Sequence, residues 1–289
     1  MSAAPTPVPV RHLDGLAYAV VDVETTSAFP RSARIIEVAV VHCNRDGTRA
    51  WAWHTLVNPG CAIDNTDHHG IATEDVADAP TFADVAEDLV CALAGRVLVG
   101  HNIVFDHEVL TRELARCGSA LPEAPRLCTM RMARDLGLEV HDHRLETLLE
   151  ALELPSGLAH SALHDTAATG ALFASLVALY PQRHIAETTA WTGPLRPTGE
   201  PADPSVLAGS TVCRDGLDLA SLDHFPPRAS AGALARFART PEQAEAARSA
   251  ERRCPRCGTG HLVTRTRRRD GSRFHGCSLF PDCRYTENA

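Results

Sequence analysis

Two carboxylates stand two residues apart in Val20-Val21-Asp22-Val23-Glu24-Thr25-Thr26, at the end of an apolar run. In a strand, positions i and i+2 share a face, so Asp22 and Glu24 project side by side while Val21 and Val23 point the other way, into a core. Two bare carboxylates this close repel each other and are costly unless a cation sits between them. Oxygen ligands of this kind suit Mg²⁺ or Mn²⁺. A lone D-x-E pair reads equally as a strand end running into a polar turn. Further acids change the weighing. Asp106 closes Gly100-His101-Asn102-Ile103-Val104-Phe105-Asp106, and Asp165 opens a long apolar stretch five residues after His160. A sheet edge, a strand-to-helix turn and a helix start can converge on one point, gathering four acids and one imidazole. Four acids can hold two divalent ions, and two ions about 4 Å apart can clamp the attacking and leaving oxygens of a phosphodiester hydrolysis. A His of near-neutral pKa can take the proton from the attacking water.

Each residue also has a plainer use. Asp106 and Asp165, taken singly, read as helix caps, the commoner role of Asp at a helix start. His164 is adjacent to Asp165, and spacing alone does not separate it from His160 as candidate base. His68, His69, His141 and His143 read as solvated or structural, and Phe105 as core.

The elements that must position these groups follow from periodicity. Residues 18–23 read as a buried strand, 34–42 (RIIEVAVVH) as a second and 51–57 as a third, with a hairpin turn at Asp46-Gly47 and a stop at Asn58-Pro59-Gly60. Thr81 with Asp84 marks a helix start, followed by Phe82, Val85, Leu89 and Leu93 at helical spacing and a stop at Gly95. Residues 96–100 are a short fourth strand with His101-Asn102 at its end. A helix runs from about Phe105 to Gly118, residues 127–129 form a fifth strand, and Leu145, Leu148, Leu149 and Leu152 mark a helix closed by Pro155. A last apolar helix covers 165–180. The order β-β-β-α-β-α-β-α-α gives an α/β domain with a mixed five-stranded sheet flanked by helices.

The chain has 289 residues, room for one good-sized domain plus something small, or for two modest domains. Its 44% hydrophobic and 22% charged residues are ordinary for a soluble globular protein. Residues 1–15 are Pro-rich and read as a disordered N-terminus, without a basic region or an apolar run of signal length. No 18 apolar residues run together, so no membrane span and a cytoplasmic location are expected. All 28 basic residues are Arg, a mark of GC-rich coding rather than of function. The domain divisions expected are 1–15, 16–180 for the α/β body, 181–250, and 251–289. In 181–250, eight of 70 residues are Pro and three are aromatic, which reads as a linker with weak local structure. Within it, an Ala-rich stretch at 231–253 could form a helix, and 206–225 could pack back onto the body; the sequence leaves both open.

Of ten Cys, six are scattered between Cys43 and Cys213 and four lie in the last 36 residues. Without an export signal a disulfide framework is not expected; the cluster reads as metal ligands and the scattered six as small buried apolar residues. Cys254-x2-Cys257, 19 residues, then Cys277-x5-Cys283 is a structural-zinc pattern for one Zn²⁺, with His261 and His275 as spare ligands. Two strands, 262–269 and 272–274, would be joined at Asp270-Gly271 in a β module too small to hold together without metal. Residues 251–289 carry nine Arg and four acids, formally +5, so the rest of a chain of net charge −8 carries −13. Four thiolates on one Zn²⁺ leave the tail at about +3. Arg265, Arg267, Arg273, Phe274, Phe280 and Tyr285 interleave basic and aromatic groups, a surface that can grip phosphates and stack single-stranded bases. The plainer alternative is a zinc knob that binds protein or only ends the chain.

Over residues 16–180 the ordered motifs resemble the DEDDh 3′→5′ exonucleases, the family of the proofreading subunit of bacterial replicative DNA polymerase. Asp22-Val23-Glu24 with Thr25-Thr26 matches its D-x-E motif, His101 to Asp106 its H-N-x-x-F-D motif, and His160 to Asp165 its H-x4-D motif. Asn58-Pro59, His69-Gly70-Ile71 and Ala79-Pro80-Thr81-Phe82 match the family's intervening habits. One departure is Thr26-Ser27, where many relatives have Thr-Gly; it could alter the loop at the terminal nucleotide but removes no ligand. The resemblance implies a ribonuclease H-like fold and two Mg²⁺ or Mn²⁺ ions. Asp22 would bridge both metals, Glu24 and Asp165 would hold the one carrying the nucleophilic water, Asp106 would support the site, and His160 would be general base. Thr25 and Thr26 would hold the 3′-terminal nucleotide, with His69, His101, Asn102 and Phe105 in the substrate pocket. Residues 254–285 resemble the C-terminal zinc fingers of bacterial type IA topoisomerases. The partners so implied are 3′ ends of single-stranded DNA or RNA, DNA favoured, and a DNA polymerase or another replication or repair protein. An exoribonuclease and a non-catalytic nucleic-acid or polymerase adaptor are the alternative functions.

Overall fold

The computed structural model describes residues 16–158, 160–179, 191–194, 196–201, 219–238, 252–258, 262–266, 272–277 and 283–288. The expected meander is present: β1 (Tyr18–Thr25), β2 (Ile35–Cys43) and β3 (Arg49–Leu56) pair antiparallel, and the Asp46-Gly47 turn is closed by Asn44–Thr48 hydrogen bonds. β4 (Val97–Gly100) and β5 (Arg126–Cys128) then add parallel to β1. The sheet order is β3-β2-β1-β4-β5-β6, so a sixth strand joins the five expected. This β6 (Trp191–Thr192) pairs antiparallel with β5 and lies in the stretch read as linker.

The helices are α1 (Thr66–His69), α2 (Phe82–Leu93), α3 (Ile103–Arg116), α4 (Thr129–Asp135), α5 (Leu145–Ala151), α6 (Ala162–Leu179) and α7 (Ala231–Ala235). α1, a single turn of four residues, is too short for a periodic pattern to announce, and α4 adds a helix the sequence pattern did not mark. α2 begins at the expected Thr81–Asp84 capping box. Both faces of the sheet are covered. Val21, Val23, Val38 and Val40 pack with Val85, Leu89, Leu110 and Leu114 of α2 and α3. Tyr18, Val20, Ala39 and Val99 pack on the other side with Leu148, Ala168, Leu172 and Leu176 of α5 and α6. Burial on both faces explains why β2 is buried at every position rather than alternating. α6 is the one described helix long and apolar enough to cross a membrane, and 89% of it is buried inside the fold.

Parts of 181–250 are built into the body. Trp191, Leu222, Phe225, Ala229 and Ala233 belong to the α6-side core. Arg49 donates to the carbonyls of Phe225 and Leu222 at 2.9 and 2.8 Å, and Ala229 N–H donates to Ser175 Oγ at 2.8 Å. Polar anchors of this kind, 54 to 176 residues away in sequence, leave no periodic trace in the stretch itself. α7 realises only the first part of the Ala-rich helix; 239–251, like 1–15 and Val206, falls outside the described residues.

The scattered cysteines divide. Cys43 and Cys128 are buried as expected, Cys91 is half-buried, and Cys61 and Cys117 are exposed, on loops where the chain has no core to offer; Cys213 lies outside the described residues. In the tail, β7 (Leu262–Thr266), β8 (Arg273–Cys277) and β9 (Thr286–Asn288) form a separate antiparallel sheet in the order β7-β8-β9.

Candidate active site

The parallel strands β1, β4 and β5 end at Thr25, Gly100 and Cys128, and open α/β sheets bind ligands beyond such carboxyl ends. There a cleft of about 1140 Å³ is lined by Asp22, Glu24, Thr25, His68, His101, Asn102, Phe105, Asp106, His160 and Asp165, among others. The four acids and the imidazole thus meet. Asp22 and Glu24 reach it from one face of β1, and the pairing register shifts between Glu24 and Thr25, a bulge that re-aims the strand at the site. Asp106 and Asp165 are not caps: each is the fourth residue of its helix, after Ile103 and Ala162. An acid in a first turn is still favoured by the N–H groups gathered there.

Asn102 and His160 both adopt left-handed backbone conformations, φ 70° and 56°. Such residues mark places where the surroundings enforce a cost. At Asn102 the turn lets α3 start directly at the end of β4. At His160 it directs the backbone N–H to the Asp165 carboxylate. Asp106 accepts from its own N–H and that of Val23. Ligand atoms of Glu24, His160 and Asp165 all lie within 4.8 Å of one another.

The acids hold protons strongly. Burial, then Glu37, pushes Asp22 to about 7. Burial, then Asp22 and Asp165, pushes Glu24 to about 9; burial and Asp22 push Asp165 to about 9 and raise Asp106 well above the usual carboxylate range. Carboxylates gathered so that each disfavours its neighbours' ionisation form a donor set for hard divalent cations, whose charge reverses that penalty. Burial and His68 lower His160, leaving its ring neutral at pH 7.

The second histidine is separated by its surroundings. His164 is buried; its Nδ1 accepts from Leu158 N–H at 2.8 Å, and its Nε2 donates to Ser221 Oγ at 3.0 Å. Phe225 packs against its ring. Gly157 lies so close that a Cβ there would come within 2.8 Å of His164 Nδ1. His164 therefore locks the loop before His160 from behind.

The substrate-pocket candidates differ in placement. Thr25 lines the cleft, and its carbonyl accepts from Asn65 Nδ2 at 2.9 Å. Thr26 and His69 are not among the lining residues. Thr26 exchanges two hydrogen bonds with the Arg34 backbone, and Arg34 Nε reaches the buried Glu113 at 2.7 Å, a carboxylate also held by Arg116. His69 is buried, its Nδ1 accepting from Ile71 N–H at 3.1 Å. His101 Nε2 donates to the His143 carbonyl at 3.0 Å, so its Nδ1 accepts from Thr129 Oγ1 at 2.9 Å. Burial pushes this His101 ring down to about 4, so it stays neutral. Phe105 is half-buried, packing on the α3-side core while also lining the cleft.

Other cleft residues carried no motif: His68, Arg134, His143, Arg144 and Glu146 line it as well. Glu37, fully buried and paired in register with Glu24, lies beneath the acids. A charged residue inside the apolar run RIIEVAVVH was the available signal, because an acid is almost never fully buried without a role.

In the tail, the Sγ atoms of Cys254, Cys257, Cys277 and Cys283 lie within 4.8 Å of one another, with 3.8 Å between Cys254 and Cys283 and 3.7 Å between Cys257 and Cys277. A tetrahedral zinc with Zn–S bonds of about 2.3 Å sets its sulfurs about 3.8 Å apart, so the four thiols fit that ion. Arg273 and Arg284 are exposed, and Tyr285 is half-buried with its hydroxyl donating to Glu287. Arg267 and Phe280 lie outside the described residues, as do His261 and the side chain of Arg265.

A mixed sheet clothed on both faces, with buried acids at the carboxyl ends of its parallel strands, defines a ribonuclease H-like metal-binding domain. The chain belongs to the exonuclease family: that family's model matches residues 19–173, and the topoisomerase DNA binding C4 zinc finger matches residues 251–289. It is 33% identical over 177 residues to the DNA polymerase III PolC-type of Oceanobacillus iheyensis, covering 61% of this chain and 12% of that protein. It is 32% identical over 167 residues to the DNA polymerase III subunit epsilon of Treponema pallidum, covering 56% of this chain and 77% of that one. The fold is shared with the zinc-ion-bound E. coli exonuclease I–ssDNA complex at TM-score 0.50 and 18% identity, over 56% of this chain and 40% of that one. The chain thus spans about an eighth of the PolC-type relative and less than half of exonuclease I.

Proposed function

We propose that this chain is a 3′→5′ exonuclease using two Mg²⁺ or Mn²⁺ ions to hydrolyse the terminal phosphodiester of single-stranded nucleic acid, DNA favoured. The observation that carries the reading is the meeting of Asp22, Glu24, Asp106, Asp165 and His160 in one cleft. Asp22, Glu24, Asp106 and Asp165 would hold the ions, which when bound neutralise the acids and stabilise charge developing on the phosphate. His160, neutral at pH 7, takes the proton from the attacking water. Thr25 is held by Asn65 at the cleft wall, where it can meet the terminal nucleotide; Phe105 and Asn102 offer an apolar face and an amide to the next. His101, with both ring nitrogens engaged, would shape the pocket rather than donate to substrate.

The four-Cys module would hold one Zn²⁺ and present Arg273, Arg284 and Tyr285 to the strand, raising the local concentration of 3′ ends at the nuclease. The exonuclease I complex with ssDNA and the epsilon relative support a nucleic-acid substrate and a replicative polymerase or repair protein as partner. The test is digestion of matched 5′-labelled DNA and RNA single strands with Mg²⁺ or Mn²⁺. Shortening from the 3′ end, faster on DNA and lost in Asp22→Ala and His160→Ala, is expected; a ladder indifferent to those changes refutes the reading, and binding without turnover would favour the adaptor.

A further inference from the structure

A helix begins with backbone N–H groups that need acceptors. At α6 the residue in the usual capping place is Ser161, directly before Ala162. Ser161 is fully buried, yet its Oγ makes no hydrogen bond among the described residues. The acceptor comes from the strand on which α6 packs. Glu37 Oε2 takes the Ala162 N–H at 3.1 Å, over a separation of 125 residues.

Glu37 is itself fully buried in β2, directly opposite Glu24 in the β1–β2 register. It is not one of the cleft-lining residues, so it does not meet substrate. One side chain thus links the strand pair that carries Asp22 and Glu24 to the helix start that carries His160 and Asp165. On its outer side the first turn of α6 is held by His164, through Leu158 N–H and Ser221 Oγ; Glu37 holds it on the side of the strands.

We infer that Glu37 is a positioning residue: it seats the first turn of α6 on the β1 strand and so sets Asp165 and His160 in register with Asp22 and Glu24. The inference rests on the nuclease reading above for its kinetic consequence, and on geometry alone for its structural one. Its working group is the acceptor oxygen, because that is what Ala162 N–H engages. An error of about 1 Å in such a register is worth about a hundredfold in rate.

Two near-isosteric variants test it. Glu37→Met removes the acceptor and keeps the volume; Glu37→Gln keeps a carbonyl oxygen. Hydrogen exchange of the 160–166 amides, Mn²⁺ binding by calorimetry without nucleic acid, and single-turnover digestion are measured on each full-length chain. For Glu37→Met the expected results are exchange at 160–166 faster by about tenfold, weaker Mn²⁺ binding, and kcat lower by about ten- to a hundredfold with KM unchanged. Glu37→Gln is expected to return protection and rate to within about threefold of the parent chain. Unchanged protection in Glu37→Met overturns the inference, as does a Glu37→Gln chain as impaired as Glu37→Met. If the parent chain digests nothing, the nuclease reading fails, while exchange and Mn²⁺ binding still decide the role of Glu37.

Discussion

The imidazole of His68 lies against that of His160, ring centroids 4.2 Å apart and planes tilted by 41°. His68 belongs to α1, a single turn closed by the left-handed Gly70, and His160 belongs to the loop before α6. The stack fixes the ring of the proposed base from its open side. Two protonated imidazoles would repel, so the pair also keeps His160 neutral. Replacing His68 with Ala should lower kcat by about tenfold through a loosened base, with KM little changed, and His68→Phe should recover most of it. Single-turnover digestion checks this; equal losses in both variants would point to a polar role for His68 instead.

His160 and His164 should separate cleanly by measurement. His160→Ala should cost about 10²–10⁴ in kcat and leave thermal stability near that of the parent chain. His164→Ala removes two half-buried hydrogen bonds, from Leu158 N–H and to Ser221 Oγ, and the ring that packs on Phe225, which should cost about 1–2 kcal/mol of stability. Paired thermal melts and rates at low temperature distinguish the two.

The buried acids make metal-free stability depend on pH with a definite sign. Asp22, Glu24 and Asp165 titrate at about 7, 9 and 9 in the folded chain, above their ordinary values. The folded chain therefore binds more protons than the unfolded one from about pH 4 upward, and stability is lost as pH rises through 7 to 9. In chelator the melting temperature should fall between pH 7 and 9. Millimolar Mg²⁺ should raise it more at pH 9 than at pH 7, because cations replace protons on the same oxygens. Glu24→Gln should blunt both responses in a fluorescence melt.

His42 gives the opposite slope on the acid side. Burial, then Arg96, pushes it down to about 4; its Nε2 donates to the Ala92 carbonyl at 2.8 Å and its ring packs on Trp51. The unfolded chain takes a proton below about pH 6.5 that the folded chain refuses until about pH 4. Stability present above pH 6.5 is lost as pH falls through that window, by about 2–3 kcal/mol. Urea unfolding at pH 7 and pH 5 should show His42→Gln losing less than the parent chain.

Zinc removal should undo the tail. One zinc per chain should be released by a strong chelator after thiol modification, and Cys257→Ser should bind it poorly. Deleting residues 251–289 should weaken single-strand binding and flatten its dependence on salt, measured by fluorescence anisotropy. Unchanged affinity and slope would leave the module a knob for protein.

Much of this molecule was legible in one dimension. The valines of β1 and β2, the capping box at Thr81, and the turn at Asp46-Gly47 are local signals, and local signals survive in sequence. The D-x-E pair declares its own shared face because strand periodicity is fixed at two. The Cys pairs declare a metal because ligand spacing is set by short loops. Tertiary structure alone decided the rest. It buried the ring of His164 between Leu158, Ser221 and Phe225 and left His160, which the motif register had singled out, lining the cleft. It brought Asp106 and Asp165 from the first turns of two helices to one cleft, drew Trp191 and Phe225 into a core from a stretch that reads as linker, and set Glu37 against Ala162. Each of these depends on partners far away in the chain, and neither spacing nor composition encodes which distant groups will share one buried volume.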